Sequence, residues 1–245
     1  MLAWQGWILD NAGLITEVLM SETGKSRVDA NIEATVVADG INYWAGHAEE
    51  FLADSNVVPH SPLYRVKKFT TVYRPHPLIG VITPWNFPFA MPGLDIPAAL
   101  AAGAAVLLKP SEVTPLSAVE FVRGWNEVGA PPVLGLTTGY GATGAAMIEH
   151  VDMVQFTGST ATGRKVAVAC AERLIPCSLE LGGKDPAIVL ADADLPRDRV
   201  GVLVITSVCK DYLEPSTASL VHGNLGLGSH CLNFDVGNAC LGFLS

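Results

Sequence analysis

The sequence predicts an α/β fold: a doubly wound parallel sheet preceded by a pair of helices and a β ribbon. Beyond Pro77, short apolar runs alternate with helical stretches, the rhythm of strand and helix units stacked around a parallel sheet. The runs are rich in Ala, Val, Leu and Ile and the mean hydropathy is +0.35, as strands buried on both faces require. Several runs also end in motifs of Gly, Pro, Ser or charged residues, at the strand ends where such sheets bind ligands.

Apolar residues up to Ile15 and Leu19 read as one helix, with Gly24 of SETGK as its stop. Asp29 is then placed to cap a second helix, along which Val37, Ile41, Trp44, Ala48 and Phe51 line one face. The β-branched and aromatic content of YRVKKFTTVYR, from Tyr64 to Arg74, predicts extended chain, with Lys67 and Lys68 marking an exposed edge or turn. The strand candidates beyond it are LIGVIT, AAVLL, LGLTT, DMVQF and SLEL. Helices are expected between them near Ile96 to Ala102, Leu116 to Val128, Ala142 to Ile148 and Ala161 to Arg173, with Gly103 and Gly129 as stops.

Composition narrows the function classes. The chain has 245 residues, 24 Asp and Glu against 15 Lys and Arg, and a net charge of −9. Its cations form no stripe, so nucleic acid and anionic lipid are not expected partners. Two uncharged stretches, Pro75 to Leu94 and Pro215 to Phe234, are interrupted by prolines or polar residues, so no membrane span is expected. Five cysteines without a CxxC pair, and a start without a basic leader pattern, point to a reducing cytoplasm. The charge pattern changes near residue 200: after it, only Lys210, Asp211, Glu214 and Asp235 are charged.

Four motifs could carry chemistry. PWNFPF, residues 84 to 89, directly follows LIGVIT. The Asn86 amide there could donate to a developing oxyanion, or the segment could be a proline-rich turn in which Asn86 bonds its own backbone. LLKPSEVTP follows AAVLL. Lys109 and Glu112 could hold ribose hydroxyls, or Ser111 or Thr114 could simply cap a helix opened by Pro115. FTGSTATG, residues 156 to 163, is a Gly and Ser turn entering a helix. Gly158 and Ser159 suit either a phosphate at the helix N-terminus or a plain cap. In LELGGKDP, Glu180 ends a strand at a glycine pair. A semi-buried carboxylate of raised pKa would serve there as a general base, or Glu180 could pair with Lys184.

Taken together, these blocks, with ETGK, DANIEA, NYWAGHAEE and DADL, closely resemble the NAD(P)-dependent aldehyde dehydrogenase family from the first helices to residue 195. The resemblance implies a Rossmann-like cofactor domain and an oligomerisation ribbon near residues 61 to 76, which could join like or unlike subunits. It implies Asn86 as oxyanion donor, Glu180 as general base, and Lys109, Ser111 and Glu112 around the adenosine ribose. Gly158 and Ser159 match the pyrophosphate turn, and Ile82, Thr83, Pro84 and Trp85 line the cofactor cleft. A small aldehyde is the implied substrate. NAD is favoured over NADP, because Glu112 would repel a 2′-phosphate.

Three departures accompany the likeness. The family's first segment is expected to be missing, and GAPPVLG lacks the glycine that usually comes after its proline. No GQxC-type nucleophile loop follows Glu180; Cys209 lies in the unrelated context TSVCKDY, while Cys170 and Cys177 precede Glu180 and read as structural. From about residue 196 to 245, above all in FDVGNACLGF, the chain instead resembles thiolase-superfamily condensing enzymes of the ketoacyl synthase III type. That likeness implies Cys240 as an acyl-accepting nucleophile, with His222 and His230 read as polar loop or helix residues. The expected whole is an aldehyde dehydrogenase fragment over residues 1 to 195 joined to a short ketosynthase-like fragment. Such a chain is expected to be catalytically inactive, leaving an NAD-binding or subunit-interaction module as the alternative.

Overall fold

The first helical stretch forms two helices rather than one, α1 (Leu2–Asp10) and α2 (Ala12–Thr23). The break falls at Asn11, whose backbone leaves the helical region (φ −103°, ψ 11°). Its side-chain amide donates to the Trp7 carbonyl at 2.8 Å, a local bond that competes with the helical ladder. Gly24 ends α2 in the left-handed region at φ 70°, as its place in the sequence predicts. Helix α3 (Arg27–Phe51) comes next, capped by Ser26 in place of the expected Asp29. The Ser26 hydroxyl accepts from the Asp29 N–H at 3.2 Å and donates to its carboxylate at 2.7 Å. Asp29 thus sits inside the first turn, where negative charge is favoured.

This computed structural model describes residues 1–182, 198, 202–206, 222–223 and 226–236. They fall into two units, Met1–Glu180 and Leu181–Ser245. In the first, β1 (Ser55–Val57) and β2 (Phe69–Thr71) pair antiparallel as the ribbon. The extended segment expected from Tyr64 to Arg74 supplies only β2, because Pro62–Tyr64 forms a 3-10 turn.

Five further strands build the main sheet: β3 (Leu78–Ile82), β4 (Ala105–Lys109), β5 (Leu134–Leu136), β6 (Met153–Gly158) and β7 (Cys177–Leu181). Their order is β5-β4-β3-β6-β7, with β3 parallel to both β4 and β6, and β4 parallel to β5. The chain winds outward from β3 and then returns to its other side, which makes the gap between β3 and β6 the topological switch point. The connecting helices are α4 (Ala90–Ala101), α5 (Pro115–Glu127), α6 (Gly141–Ile148) and α7 (Thr160–Glu172). Three of them begin and end within a residue of where the sequence places them; α4 begins six residues earlier than expected, taking in Pro92.

Alternation along the strands divides the apolar residues between two layers. Val81, Val106, Leu108 and Leu134 pack with Trp4, Ile15, Ile41, Phe89 and Phe121 from the helices on one face. Leu78, Ile82, Leu107, Val154 and Phe156 pack with Met147, Ile148, Val166 and Cys170 on the other. Trp4 anchors the first layer. Its ring meets Phe121 and Trp125 edge-on at 4.7 and 5.3 Å, and its indole N–H donates to the Phe121 carbonyl at 3.3 Å, so the buried polar atom is satisfied.

In the second unit, β8 (Val202–Thr206) and β9 (Leu232–Val236) pair in parallel. The junction expected between residues 195 and 200 lies, Asp198 aside, outside the described residues. Among those described, no helix is long and apolar enough to cross a membrane.

Helices α3 and α4 approach so closely that a Cβ on Gly93 would lie 2.3 Å from Cγ2 of Val37. Gly93→Ala is expected to destabilise the chain by about 1–3 kcal/mol through overpacking. Val37→Ala in the same chain recovers part of the loss. A denaturant double-mutant cycle checks this, and strictly additive effects would refute the contact.

Candidate functional site

The loop carrying Trp85 and Asn86 is held from the N-terminal helices. Glu33 of α3 is fully buried, and one of its carboxylate oxygens accepts from the backbone N–H groups of Phe89 and Ala90 at 3.0 and 2.9 Å. Its other oxygen pairs with Lys25 Nζ at 2.6 Å, and that ammonium also lies 3.5 Å from the centroid of the Phe87 ring. A carboxylate at a helix N-terminus satisfies donors that have no partner within the helix and complements the helix dipole. This external cap lets α4 start at Ala90, immediately after PWNFPF. Glu22 of α2 does the same for α5, accepting from the N–H groups of Leu116 and Ser117 at 2.5 and 2.8 Å and from the Ser117 hydroxyl. The cap expected from Ser111 or Thr114 is therefore supplied by Glu22. Thr114 makes no side-chain cap bond, and Ser111 instead accepts from the Val113 N–H at 3.2 Å.

Strand register gathers the predicted cleft residues. Ile82 at the end of β3 is the partner of Lys109 on β4 and of Phe156 on β6. The motifs after these residues therefore leave the sheet at one level, around the switch point. Thr83 stays on β4 through an N–H bond to the Lys109 carbonyl at 3.2 Å. Pro84 is half-buried, and Trp85 is 59% exposed at the mouth of the crevice. The carbonyl oxygen of the Asn86 side chain is buried without a hydrogen-bond partner among the described residues, so the turn in which Asn86 bonds its own backbone is not observed. The buried Thr83 hydroxyl likewise has no partner.

Lys109 is only 4% exposed. Its ammonium reaches Glu112 at 3.4 Å, with the Glu112 side chain at the surface. A hydrogen bond from its own backbone N–H holds the Glu112 carboxyl below the usual range; burial opposes this slightly and the Lys109 charge reinforces it. At the next strand, Ser159 caps α7 by accepting from the Thr162 N–H at 3.2 Å. Gly158 has no room for a side chain, because a Cβ there would lie 2.8 Å from the Phe156 ring. The plain cap is thus present.

Glu180 ends β7 exposed rather than semi-buried, so the burial expected of it is absent. A half-buried carboxyl lies on α4 at Asp95. Burial pushes it up to about 6, a hydrogen bond from Gln155 works against this, and the charge of Glu180 adds to it. No hydrogen bond joins Asn86 to Glu180 among the described residues. Cys170 is buried beside Cys177, its thiol pushed up to about 11 mainly by burial, in keeping with a structural role. Of the remaining candidates, Lys184, Cys209 and Cys240 lie outside the described residues, while His222 contacts the Gly228 carbonyl at 3.2 Å and His230 is exposed in a turn.

Sequence reasoning overlooked Lys25, Glu33 and Asp95 as members of this site. A signal for Glu33 existed: it shares the buried face of α3 with Ala30, Ala34, Val37 and Ile41, a charge within an apolar stripe. Asp95 stands likewise between Leu94 and Ile96.

A sequence profile described as the aldehyde dehydrogenase family matches residues 1–209. The chain is 42% identical over 178 residues to the chloroplastic betaine aldehyde dehydrogenase of Beta vulgaris, covering 71% of this chain and 35% of that protein. It is 41% identical over 180 residues to the peroxisomal aminoaldehyde dehydrogenase 2 of Pisum sativum, covering 72% and 36%. The solved structure of PnpE in complex with nicotinamide adenine dinucleotide superposes with a TM-score of 0.70 at 32% identity, over 75% of this chain and 38% of that one. The chain thus spans about a third of the length of these curated relatives.

The cap geometry makes a graded prediction. Glu33→Ala strands Lys25 and two amides and is expected to cost about 3–5 kcal/mol, as breaking a buried pair does, whereas Glu22→Ala, at a more open cap, costs about 1 kcal/mol. Denaturation midpoints, with hydrogen exchange at the Phe89 and Ala90 amides, measure both. Equal losses, or unchanged exchange at those amides, would contradict the clamp.

Proposed function

Because the chain belongs to the aldehyde dehydrogenase family, we propose that residues Met1–Glu180 form a nicotinamide-dinucleotide site of an aldehyde-oxidising enzyme, with NAD preferred to NADP. The carrying observation is the buried Lys109 paired with the exposed Glu112 at the level of the switch point. A cation and an acceptor side by side suit the hydroxyls of a ribose, and the negative charge of Glu112 disfavours a phosphate on that sugar. The buried Thr83 hydroxyl and Asn86 carbonyl, both without partners among the described residues, fit a polar ligand in the same crevice. Gly158 and Ser159, ahead of the α7 N-terminus, suit its pyrophosphate. Ile82, Pro84 and the exposed indole of Trp85 supply apolar surface beside it.

When bound, the dinucleotide supplies a hydride acceptor. Two side chains of this chain would act beside it. Asn86 offers a neutral amide donor to an aldehyde oxygen as it gains charge, and Glu180, exposed at a strand end, takes a proton from water. Betaine and aminoaldehyde dehydrogenases are among the relatives of this chain, which supports a small aldehyde bearing a cationic group as the substrate class. A second reading, subunit pairing through the ribbon, is favoured by the exposed Val58, Leu63, Val66 and Tyr73 around β1 and β2.

We further propose that the 245-residue chain alone does not oxidise aldehydes, because its sequence contains no GQxC-type loop beyond Glu180. Aldehyde-dependent NADH formation by the chain would overturn this, and its survival in Cys209→Ala would show that no thiol at Cys209 carries it. Cofactor binding is tested by a thermal-melt titration, since a ligand of the folded state raises the melting temperature by mass action. NAD is expected to give a saturable rise, reduced at least tenfold in affinity by Lys109→Ala, and NADP a weaker one until Glu112→Gln is introduced. A cooperative melt that NAD does not move would refute the site.

A further inference from the structure

The loop that crosses the crevice is tied down on both sides of Asn86. Toward the sheet, the Thr83 N–H donates to the Lys109 carbonyl at 3.2 Å. Toward α4, the Phe87 carbonyl accepts from the Met91 N–H at 2.9 Å, and the amides of Phe89 and Ala90 go to Glu33. Pro84, Trp85 and Asn86 bridge these anchors. The Asn86 side-chain carbonyl is buried without a partner among the described residues, so no bond to that atom fixes the amide plane, and its direction follows the backbone to either side. The neighbour on the α4 side, Phe87, is half-buried against the core, with the Lys25 ammonium 3.5 Å from its ring centroid. That ammonium is itself held. Its side chain is 17% exposed and pairs with Glu33 at 2.6 Å, and the Lys25 backbone N–H donates to the Thr23 hydroxyl at 3.2 Å. Neutralising Glu33 needs a charge but no aromatic ring, and covering the ring needs no charge. One ammonium in contact with both joins Phe87 to the carboxylate that starts α4, and a partly desolvated cation on a ring face is attracted by the ring's quadrupole.

We infer that Lys25 is a positioning residue for Asn86: seated on the Phe87 ring while bound to Glu33, it fixes the backbone on the α4 side of Asn86 and so the direction in which the Asn86 amide donates. This inference rests on the reading of Asn86 as the donor to a carbonyl oxygen. Such a donor is effective when it is oriented before charge develops on that oxygen, and a displacement of about 1 Å at a reacting centre costs on the order of 100-fold. Lys25 does not touch the ligand. It acts through Phe87, the next residue along the chain from the donor.

The experiment is nitrogen-15 NMR of the Asn86 side-chain amide in the whole chain, with propionamide as an unreactive carbonyl probe. In the unmodified chain the amide is expected to be ordered, with its protons moving downfield as propionamide is added. In Lys25→Met, which keeps an unbranched stem and loses the charge, the order parameter falls from about 0.85 to below about 0.6, and the probe binds about tenfold more weakly. Lys25→Ala behaves in the same way, and n-propylammonium, which replaces the missing end of the side chain, restores both readouts, whereas neutral n-propanol does not. Phe87→Leu leaves the Lys25–Glu33 pair in place and loosens the amide as Lys25→Met does, which keeps the proposal falsifiable where the Lys25 variants fail to fold. An Asn86 amide that stays ordered in Phe87→Leu or in a folded Lys25→Met, or rescue by n-propanol equal to that by n-propylammonium, overturns the proposal and leaves the donor reading standing. An ordered, Lys25-dependent amide that propionamide does not shift instead removes the donor reading, and Lys25 is then an anchor of the loop alone.

Discussion

A single buried carboxylate fixes the relation between the N-terminal helices and the sheet. Glu33 lies within the core, neutralised by Lys25 and spent on two backbone amides of α4. An uncompensated charge in that position would be untenable, so Lys25, α3 and the start of α4 must adopt their positions together. The consequence reaches the crevice. Phe87 lies under the Lys25 ammonium, and the residues just before it, Trp85 and Asn86, leave β3 along a path whose far end is pinned. Glu22 repeats the device at α5, so two helices that come after strands of the sheet are started by side chains from elsewhere in the chain.

That arrangement explains which parts of the fold were legible in the sequence. Strands β3 to β7 and helices α5 to α7 were readable because their signals are local: apolar runs, glycine stops and the 3.6-residue stripe. Helix α4 was legible only in its second half. Pro92 lies before the stretch the sequence marks as helical, yet it falls in the first turn, where its missing N–H removes no intrahelical bond, and the cap comes from Glu33, more than fifty residues earlier. The break at Asn11 and strand β1 were missed for the opposite reason. One depends on the Asn11 amide donating to the Trp7 carbonyl, and the other on three exposed residues, Ser55–Val57, that pair with β2.

For the site, motif position was legible and environment was not. Ile82, Lys109 and Phe156 sit at one level because a parallel register aligns strand ends, and each motif was marked by its place at the end of an apolar run. The burial of a carboxyl carried no such mark. Glu180 ends a strand as expected, but it stands on the face away from the α6 and α7 layer and is exposed. Asp95, in a segment without any motif, is the carboxyl that the fold desolvates. Desolvation depends on the groups that pack above a residue, and for Asp95 that is decided by the position of α4, hence by Glu33.

The distribution of satisfied and unsatisfied polar groups carries the argument further. Across the N-terminal helices and strand starts, polar groups meet their partners: Glu33, Glu22, the Trp4 indole, and Asp152, which accepts from the Leu78 N–H at 2.9 Å. Among the described residues, the buried side-chain atoms left without a partner are Thr83 Oγ1, Asn86 Oδ1, Thr114 Oγ1 and Arg123 Nε, and the first three lie just beyond β3 or β4. Lys109 belongs with them, since a 3.4 Å pair with a surface carboxylate does little to offset the burial of an ammonium. A core built for stability alone would place apolar residues there, as the same strands do one turn of the pleat earlier with Val81 and Leu107. Polar groups are under-satisfied where the sheet topology opens its crevice and well satisfied where it closes its core.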